Sequence, residues 1–166
     1  YQRPRTTVLT IEHQGPSGAR NIAIRRARGD YILPLDADDW IAPEYVELAV
    51  AVLEQQSEVG IVYCEAELAE NGRQRHWDLP DYSYPEILLH NCIFTAAMFR
   101  KADWARVGGY NTNMVEGWED YDLWLSFIER GAKVHKIPRV LFYYRKSTAG
   151  RTAALTPEAI TRLYTQ

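Results

Sequence analysis

Gly29-Asp30-Tyr31-Ile32-Leu33-Pro34-Leu35-Asp36-Ala37-Asp38-Asp39 sets an apolar run directly against three carboxylates. Tyr31–Leu35 reads as a buried strand, with Pro34 marking where ladder pairing stops because it has no N–H to donate. Three carboxylates at the mouth of a strand repel one another and are costly to desolvate, so a positive group is expected against them. A divalent cation carrying a diphosphate meets that need, since hard cations take oxygen ligands and neutralise phosphate charge. The competing reading makes Asp38 or Asp39 a cap for the helix entered near Pro43 and leaves the others as solvated loop charges.

Around this stretch, strands and helices alternate. Upstream, the β-branched run Thr6–Ile11 predicts a strand, and Ser17 is placed to cap a helix reaching Arg28, with Ala19, Ile22, Ala23 and Ala27 on one face. Downstream, Val46, Ala49, Val50 and Leu53 keep the helical period after Pro43. Gly60–Cys64 predicts a strand, and Asn71-Gly72 a hairpin turn between Cys64–Ala69 and Gln74–Trp77. Cys92–Phe99 predicts a buried strand, Ala102–Val107 a short helix and Trp118–Arg130 a longer one. Lys133–Ile137 and Val140–Tyr144 predict two further strands, and Pro157–Tyr164 a last helix. Short strands linked by helices imply a layered α/β sheet with right-handed crossovers. In such sheets ligands bind beyond the carboxyl ends of the strands, where Asp36–Asp39 lies.

The 166 residues suit one domain, and 46% hydrophobic with 25% charged residues is an ordinary globular balance. A net charge of −3 gives no electrostatic case for nucleic acid. No apolar stretch is long enough to span a bilayer and no signal-peptide pattern opens the chain. The cytoplasm, or the inner face of a membrane touched peripherally, is therefore the expected location. Cys64 and Cys92 make neither a disulfide framework nor a zinc site and are expected as buried thiols. His13, His76, His90 and His135 show no ligand-type spacing.

A second acidic cluster, Glu116-Gly117-Trp118-Glu119-Asp120-Tyr121-Asp122, opens the Trp118 helix. Acidic first turns complement the helix dipole, which is the structural explanation. The functional one makes a carboxylate here a general base that takes a proton from a hydroxyl nucleophile, with a pKa kept low by the dipole.

Taken in order, Gly15-Pro16-Ser17-Gly18-Ala19-Arg20-Asn21, Ala27-Arg28-Gly29-Asp30-Tyr31-Ile32, Leu35-Asp36-Ala37-Asp38-Asp39, Arg106-Val107-Gly108-Gly109-Tyr110, Glu119-Asp120-Tyr121-Asp122-Leu123-Trp124 and Tyr143-Tyr144-Arg145 resemble the family 2 glycosyltransferases. The resemblance implies the GT-A fold, a Rossmann-related layered sheet with helices on both faces, over residues 1–166. It also implies an amino-terminally truncated domain, because the family's usual opening strand, helix and strand with base-binding residues do not precede Tyr1. The implied activity is inverting transfer of a sugar from a nucleotide-diphosphate donor to a hydroxyl on a glycan, lipid-linked or protein acceptor, in surface polysaccharide or lipopolysaccharide synthesis.

By the same resemblance, Asp38, with Asp36, is expected to hold Mg²⁺ or Mn²⁺. Arg20, Asn21, Asp36, Asp39 and Arg145 are expected at the donor, and Gly108, Gly109 and Trp118 at the acceptor. Asp120 is the expected base, with Glu119 second. Relatives carry a metal-binding His near the position of Ser147, and Tyr144-Arg145-Lys146-Ser147 has none. Asn71–Tyr84 is expected to form a surface hairpin and loop that shapes acceptor choice. Two other readings stand beside this one: a non-catalytic domain of the same fold that binds a sugar nucleotide or a partner, and a metal-dependent nucleotidyl or phosphoryl transferase.

Overall fold

The computed structural model describes residues 5–115 and 117–146. Its elements are α1 (Gly15–Arg26), β1 (Tyr31–Ile32), β2 (Trp40–Ile41), α2 (Tyr45–Gln55), β3 (Val59–Glu70), β4 (Arg73–His76), β5 (Met98–Arg100), α3 (Lys101–Val107), α4 (Glu119–Glu129) and β6 (Lys133–Arg145). A 3₁₀ turn covers Glu86–Leu88. One mixed sheet runs β1-β5-β3-β6-β2, with β4 hairpinned onto β3. Only the β3–β6 pair is parallel.

Both faces of the sheet are covered. Val59–Cys64 is buried at every position, the mark of a central strand packed on two sides. Phe99, paired with Ile61, meets Trp124 and Phe127 of α4 edge-on at 5.8 and 5.6 Å. On the opposite parity, Cys64 shares a hydrogen bond with Tyr45 of α2. Cys64 and Cys92 are free buried thiols, and burial pushes Cys64 up to about 12.

Several elements depart from the sequence expectations. Thr6–Ile11 forms no strand: it crosses the surface exposed, Val8 at 82%, and no described strand pairs with it. β-Propensity describes fit to a neighbouring strand and has no effect without one. The strand expected over Tyr31–Leu35 shrinks to Tyr31–Ile32, as Pro34 cannot extend the ladder. Cys92–Phe99 is buried as expected, yet only Met98–Arg100 is strand. Side chains replace the ladder there: Trp124 Nε1 donates to the Ile93 carbonyl at 3.1 Å and Tyr45 Oη to that of Ala96 at 2.8 Å.

The two strands expected between Lys133 and Tyr144 are one, β6. Its register on β3 jumps from Ile137 to Val140, so Pro138 and Arg139 occupy an irregularity where no donor is needed. Ser17 does not cap α1; it is buried inside the first turn behind Pro16, and Gln14 holds the cap position. The Asn71-Gly72 turn forms as read, both residues at positive φ (51° and 75°). The helix expected over Pro157–Tyr164 lies outside the described residues.

Asn21 fixes α1 to the turn that follows α3. Its Oδ1 accepts from the Tyr110 backbone N–H at 2.9 Å and from Trp104 Nε1 at 3.3 Å, while its Nδ2 donates to the Tyr110 carbonyl at 2.8 Å. Gly109 permits this closeness, since a Cβ there would lie 2.7 Å from Asn21 Oδ1 and φ is +85°. Asn21→Ala should therefore strand two buried backbone groups of Tyr110 and cost about 3 kcal/mol, lowering Tm by roughly 6–12 °C in thermal denaturation.

Candidate active site

Asp36–Asp39 closes as a turn, the Asp39 N–H donating to the Asp36 carbonyl at 3.2 Å. The end of β6 clamps it. Arg145 donates its backbone N–H to Asp39 Oδ1 at 2.8 Å and its Nε to the Asp38 carbonyl at 2.9 Å. The Arg145 guanidinium lies over the Trp40 ring at 5.4 Å, and Trp40 stacks on Tyr143 at 5.4 Å with planes 6° apart. β2, which the sequence did not announce, is what carries Trp40 into this stack. Burial pushes the Asp39 carboxyl up to about 6, assisted by Asp38 and Asp36 and opposed by the Arg145 N–H. The Asp38 carboxylate is exposed and has no side-chain partner among the described residues.

Arg20 joins this turn to the second acidic cluster. Its Nη2 donates to Asp36 Oδ1 and its Nη1 to Glu119 Oε1, both at 2.7 Å. Glu119 is 2% exposed, so Arg20 neutralises a charge that water cannot reach. Burial alone lowers the Arg20 pKa, but Asp36, with Tyr110 and Glu119, more than reverses this and the net shift is upward. The guanidinium also sits 5.6 Å from the centre of the Tyr110 ring.

At the start of α4, Trp118 takes the N-cap with a left-handed backbone (φ 61°) and packs edge-on against Tyr121 at 5.9 Å. The Tyr121 hydroxyl donates to the Ile87 carbonyl. Asp120 accepts from Thr95 Oγ1 through Oδ2 and from the Tyr121 N–H through Oδ1, each at 2.7 Å. Its pKa is raised, contrary to the expectation of a dipole-lowered base: burial outweighs the lowering from Thr95, the Tyr121 N–H and Arg20, and Glu119 adds to the rise. A raised pKa makes a better proton acceptor at neutral pH.

The expected site residues thus fall into two groups. Asp36, Asp38 and Asp39 share one turn clamped by Arg145 of β6, and Arg20 ties that turn to Glu119 and so to Asp120 and Trp118. Asn21, Gly108 and Gly109 are built into the scaffold. The Asn21 amide is engaged by Tyr110 and Trp104, Gly109 packs on it, and Gly108 ends α3 in the left-handed region (φ 92°). Glu116 and Ser147 lie outside the described residues. Thr95 went unnoticed in the sequence, and Tyr110, quoted within Arg106–Tyr110, was given no role. A lone hydroxyl inside the apolar run Cys92–Phe99 was the available signal, because buried polar groups find partners. Beside the Asp turn, an open cleft of about 720 Å³ runs between Arg145, Lys146, Trp40 and the hairpin residues Glu70–Gln74.

Two carboxylate sets on different elements, held by one guanidinium, provide an oxygen-rich cation cradle and a separate proton acceptor. Among the described residues no three His, Cys, Asp or Glu side chains gather as a metal cage. The Asp turn instead suits a cation of the Mg²⁺ type, which takes one or two carboxylates and fills its shell from phosphate and water.

Residues 1–107 match the family model described as glycosyl transferase family 2. The chain is 29% identical over 139 residues to a chondroitin synthase of Escherichia coli, covering 80% of this chain and 20% of that protein. Its fold is similar to S. aureus TarS in complex with UDP-GlcNAc, with a TM-score of 0.68 and 17% identity over 95% of this chain and 48% of the other. It is similar too to the mannosyltransferase PcManGT from Pyrobaculum calidifontis in complex with GDP-Man and Mn²⁺, with a TM-score of 0.64 and 21% identity over 89% and 41%. The chain spans 17% and 58% of the lengths of the first two curated relatives it matches. Its fold is of the GT-A kind, and the chain belongs to glycosyltransferase family 2.

Proposed function

We propose that this chain transfers a sugar from a nucleotide-diphosphate donor to an acceptor hydroxyl with inversion at the anomeric carbon. The observation that carries the reading is Arg20, which binds Asp36 and Glu119 together and so sets the Asp turn and Asp120 at one site. The nucleotide-sugars in the two similar structures support the donor class, and the chondroitin synthase relative supports extension of a surface polysaccharide.

In this reading Asp38, with the free oxygen of Asp36, holds Mg²⁺ or Mn²⁺, as the Mn²⁺ beside GDP-Man in one similar structure supports. The cation would offset charge on the departing diphosphate. Arg145, fixed over Trp40, adds a second positive group beside the Asp turn. Asp120 removes the acceptor proton as the hydroxyl attacks the face opposite the leaving group. Glu119 works through Arg20 and keeps that guanidinium in place. Trp118 at the head of α4 offers an aromatic wall for an acceptor sugar. The hairpin tip around Asn71 bounds the adjoining cleft and is positioned to select among acceptors. Among the described residues no helix is long and apolar enough to cross a membrane. We place the reaction on the cytoplasmic side, where nucleotide-sugars are made, with contact to a membrane left to the acceptor.

Transfer measured with UDP- and GDP-sugars plus Mn²⁺ tests the reading. Asp120→Asn should lower kcat by about 10³ while donor Kd stays within a few-fold, since a positioned base contributes on the order of 10²–10⁴. Donor binding intact with undiminished transfer would refute the assignment, and nucleotidyl transfer that survives Asp120→Asn but not Asp38→Asn would favour the nucleotidyltransferase reading. Asp38→Asn should instead raise the Mn²⁺ needed for donor binding by at least tenfold, read by calorimetry.

Asp39 yields a prediction with a defined sign. A carboxyl whose folded pKa is raised from 3.8 to about 6 destabilises the fold increasingly as pH climbs through that window. Without cation, Asp39→Asn should therefore raise Tm by a few degrees at pH 8, about 1 kcal/mol after allowing for solvent screening, and the gain should vanish by pH 4.

A further inference from the structure

Thr95 is fixed before Asp120 reaches it. The segment from Cys92 to Ala97 has no ladder of its own, yet it is tied down on either side of Thr95: Ile93 by Trp124 Nε1 of α4, and Ala96 by Tyr45 Oη of α2. The Ile93 N–H is in turn taken by Asn91 Oδ1 at 3.1 Å. Both tying side chains are fully buried, so the position of Thr95 Oγ1 is set by the core. From there it donates to Asp120 Oδ2 at 2.7 Å, while the Tyr121 N–H takes Oδ1. With one donor on each oxygen, the carboxylate is held at both ends, and each oxygen keeps a lone pair for the acceptor proton.

We infer that Thr95 is a positioning residue for the reaction, whose hydroxyl holds the Asp120 carboxylate in its ionised form and aims it at the acceptor. This rests on the assignment of Asp120 as the base. Among the described residues, the charged and titratable groups around Asp120 are Glu119 on the same helix, which disfavours ionisation, Arg20 of α1, which favours it, and Tyr110 from the turn after α3. Arg20 is divided between Glu119 and Asp36. Thr95 is then the largest single influence favouring the charged form, ahead of the Tyr121 N–H, and neither carries a net charge. Removing the hydroxyl therefore raises the Asp120 pKa. Because the base must be ionised, the acid limb of the rate profile moves to higher pH.

The test pairs Thr95→Val, which keeps the shape and deletes the donor, with Thr95→Ser, which keeps the donor. Titration of ¹³C-carboxyl aspartate by NMR in the whole chain, with Asp120→Asn locating the signal, reads the Asp120 pKa with no need for turnover. Thr95→Val should raise it by about one pH unit, the scale of a hydrogen bond to a charged group. In the transfer assay kcat/KM should fall about tenfold at pH 6 and by less at pH 8.5, with Thr95→Ser near wild type at both. Should Thr95→Val fail to fold, Thr95→Ala carries the same comparison. An Asp120 pKa that Thr95→Val leaves in place overturns the inference whatever the assay gives. Undiminished transfer by Asp120→Asn overturns the base assignment instead, and the inference with it.

Discussion

One guanidinium organises this molecule. Arg20 stands between Asp36, in the turn past β1, and Glu119, at the head of α4, residues 16 and 99 positions further along the chain. Without it a carboxylate 2% exposed would face further carboxylates in a region of low dielectric, an arrangement costing several kcal/mol. The next residue, Asn21, anchors the same helix to the backbone of Tyr110. Lys101 closes the other end of α1 by donating to the Ala27 carbonyl at 2.6 Å. α1 is thus held along its length, and Arg20 is presented at a set height between the two acidic clusters.

That arrangement separates the carboxylates by environment. Glu119 has a cation within hydrogen-bonding distance, Asp120 is held by neutral donors, and Asp38 stands in solvent at the tip of its turn. Adjacent residues on one helix therefore differ in character: a paired anion beside a carboxyl whose proton affinity burial has raised. Raised affinity on Asp120 and on Asp39 has the same main cause, the withdrawal of water, with neighbouring carboxylates adding to it, but the remedy differs. A cation would relieve Asp39, whereas proton uptake would relieve Asp120.

Much of the fold was legible because its strongest signals are local. The periodicity of α2 and α4, the Asn71-Gly72 hairpin and the Gly108 stop of α3 all appear where residue chemistry predicts them. The misreadings share a physical origin. Thr6–Ile11 and Cys92–Phe99 are apolar and β-branched, yet neither meets a full ladder, and strand formation depends on a partner that composition does not name. β2 is two residues long and exists only through pairing with β6. At the site, Asp36, Asp38, Glu119 and Asp120 stood out because clustered carboxylates require explanation. Thr95 and Tyr110 did not, since their roles come from contacts across 25 and 89 residues. Gly109 and Asn21 were read toward a ligand, and the structure adds that they pack on each other, the absent Cβ of Gly109 leaving room for the Asn21 amide.

The reach of the family match sharpens what the geometry adds. The match ends at residue 107, so it takes in the Asp turn and Arg20 but stops short of α4 and of Arg145. Shared ancestry over the first part says nothing by itself about a base in the second. Among the contacts that cross that boundary and reach α4 or the turn before it are Arg20 to Glu119 and Thr95 to Asp120, with Asn21 to Tyr110 beside them. Each joins a residue inside the matched stretch to one beyond it, and each is a hydrogen bond between a buried or half-buried pair, the kind costly to leave unmade. Through Arg20 they tie the head of α4 to the Asp turn. The case for Asp120 is therefore an argument from satisfied polar groups, and it holds as strongly as those three contacts do.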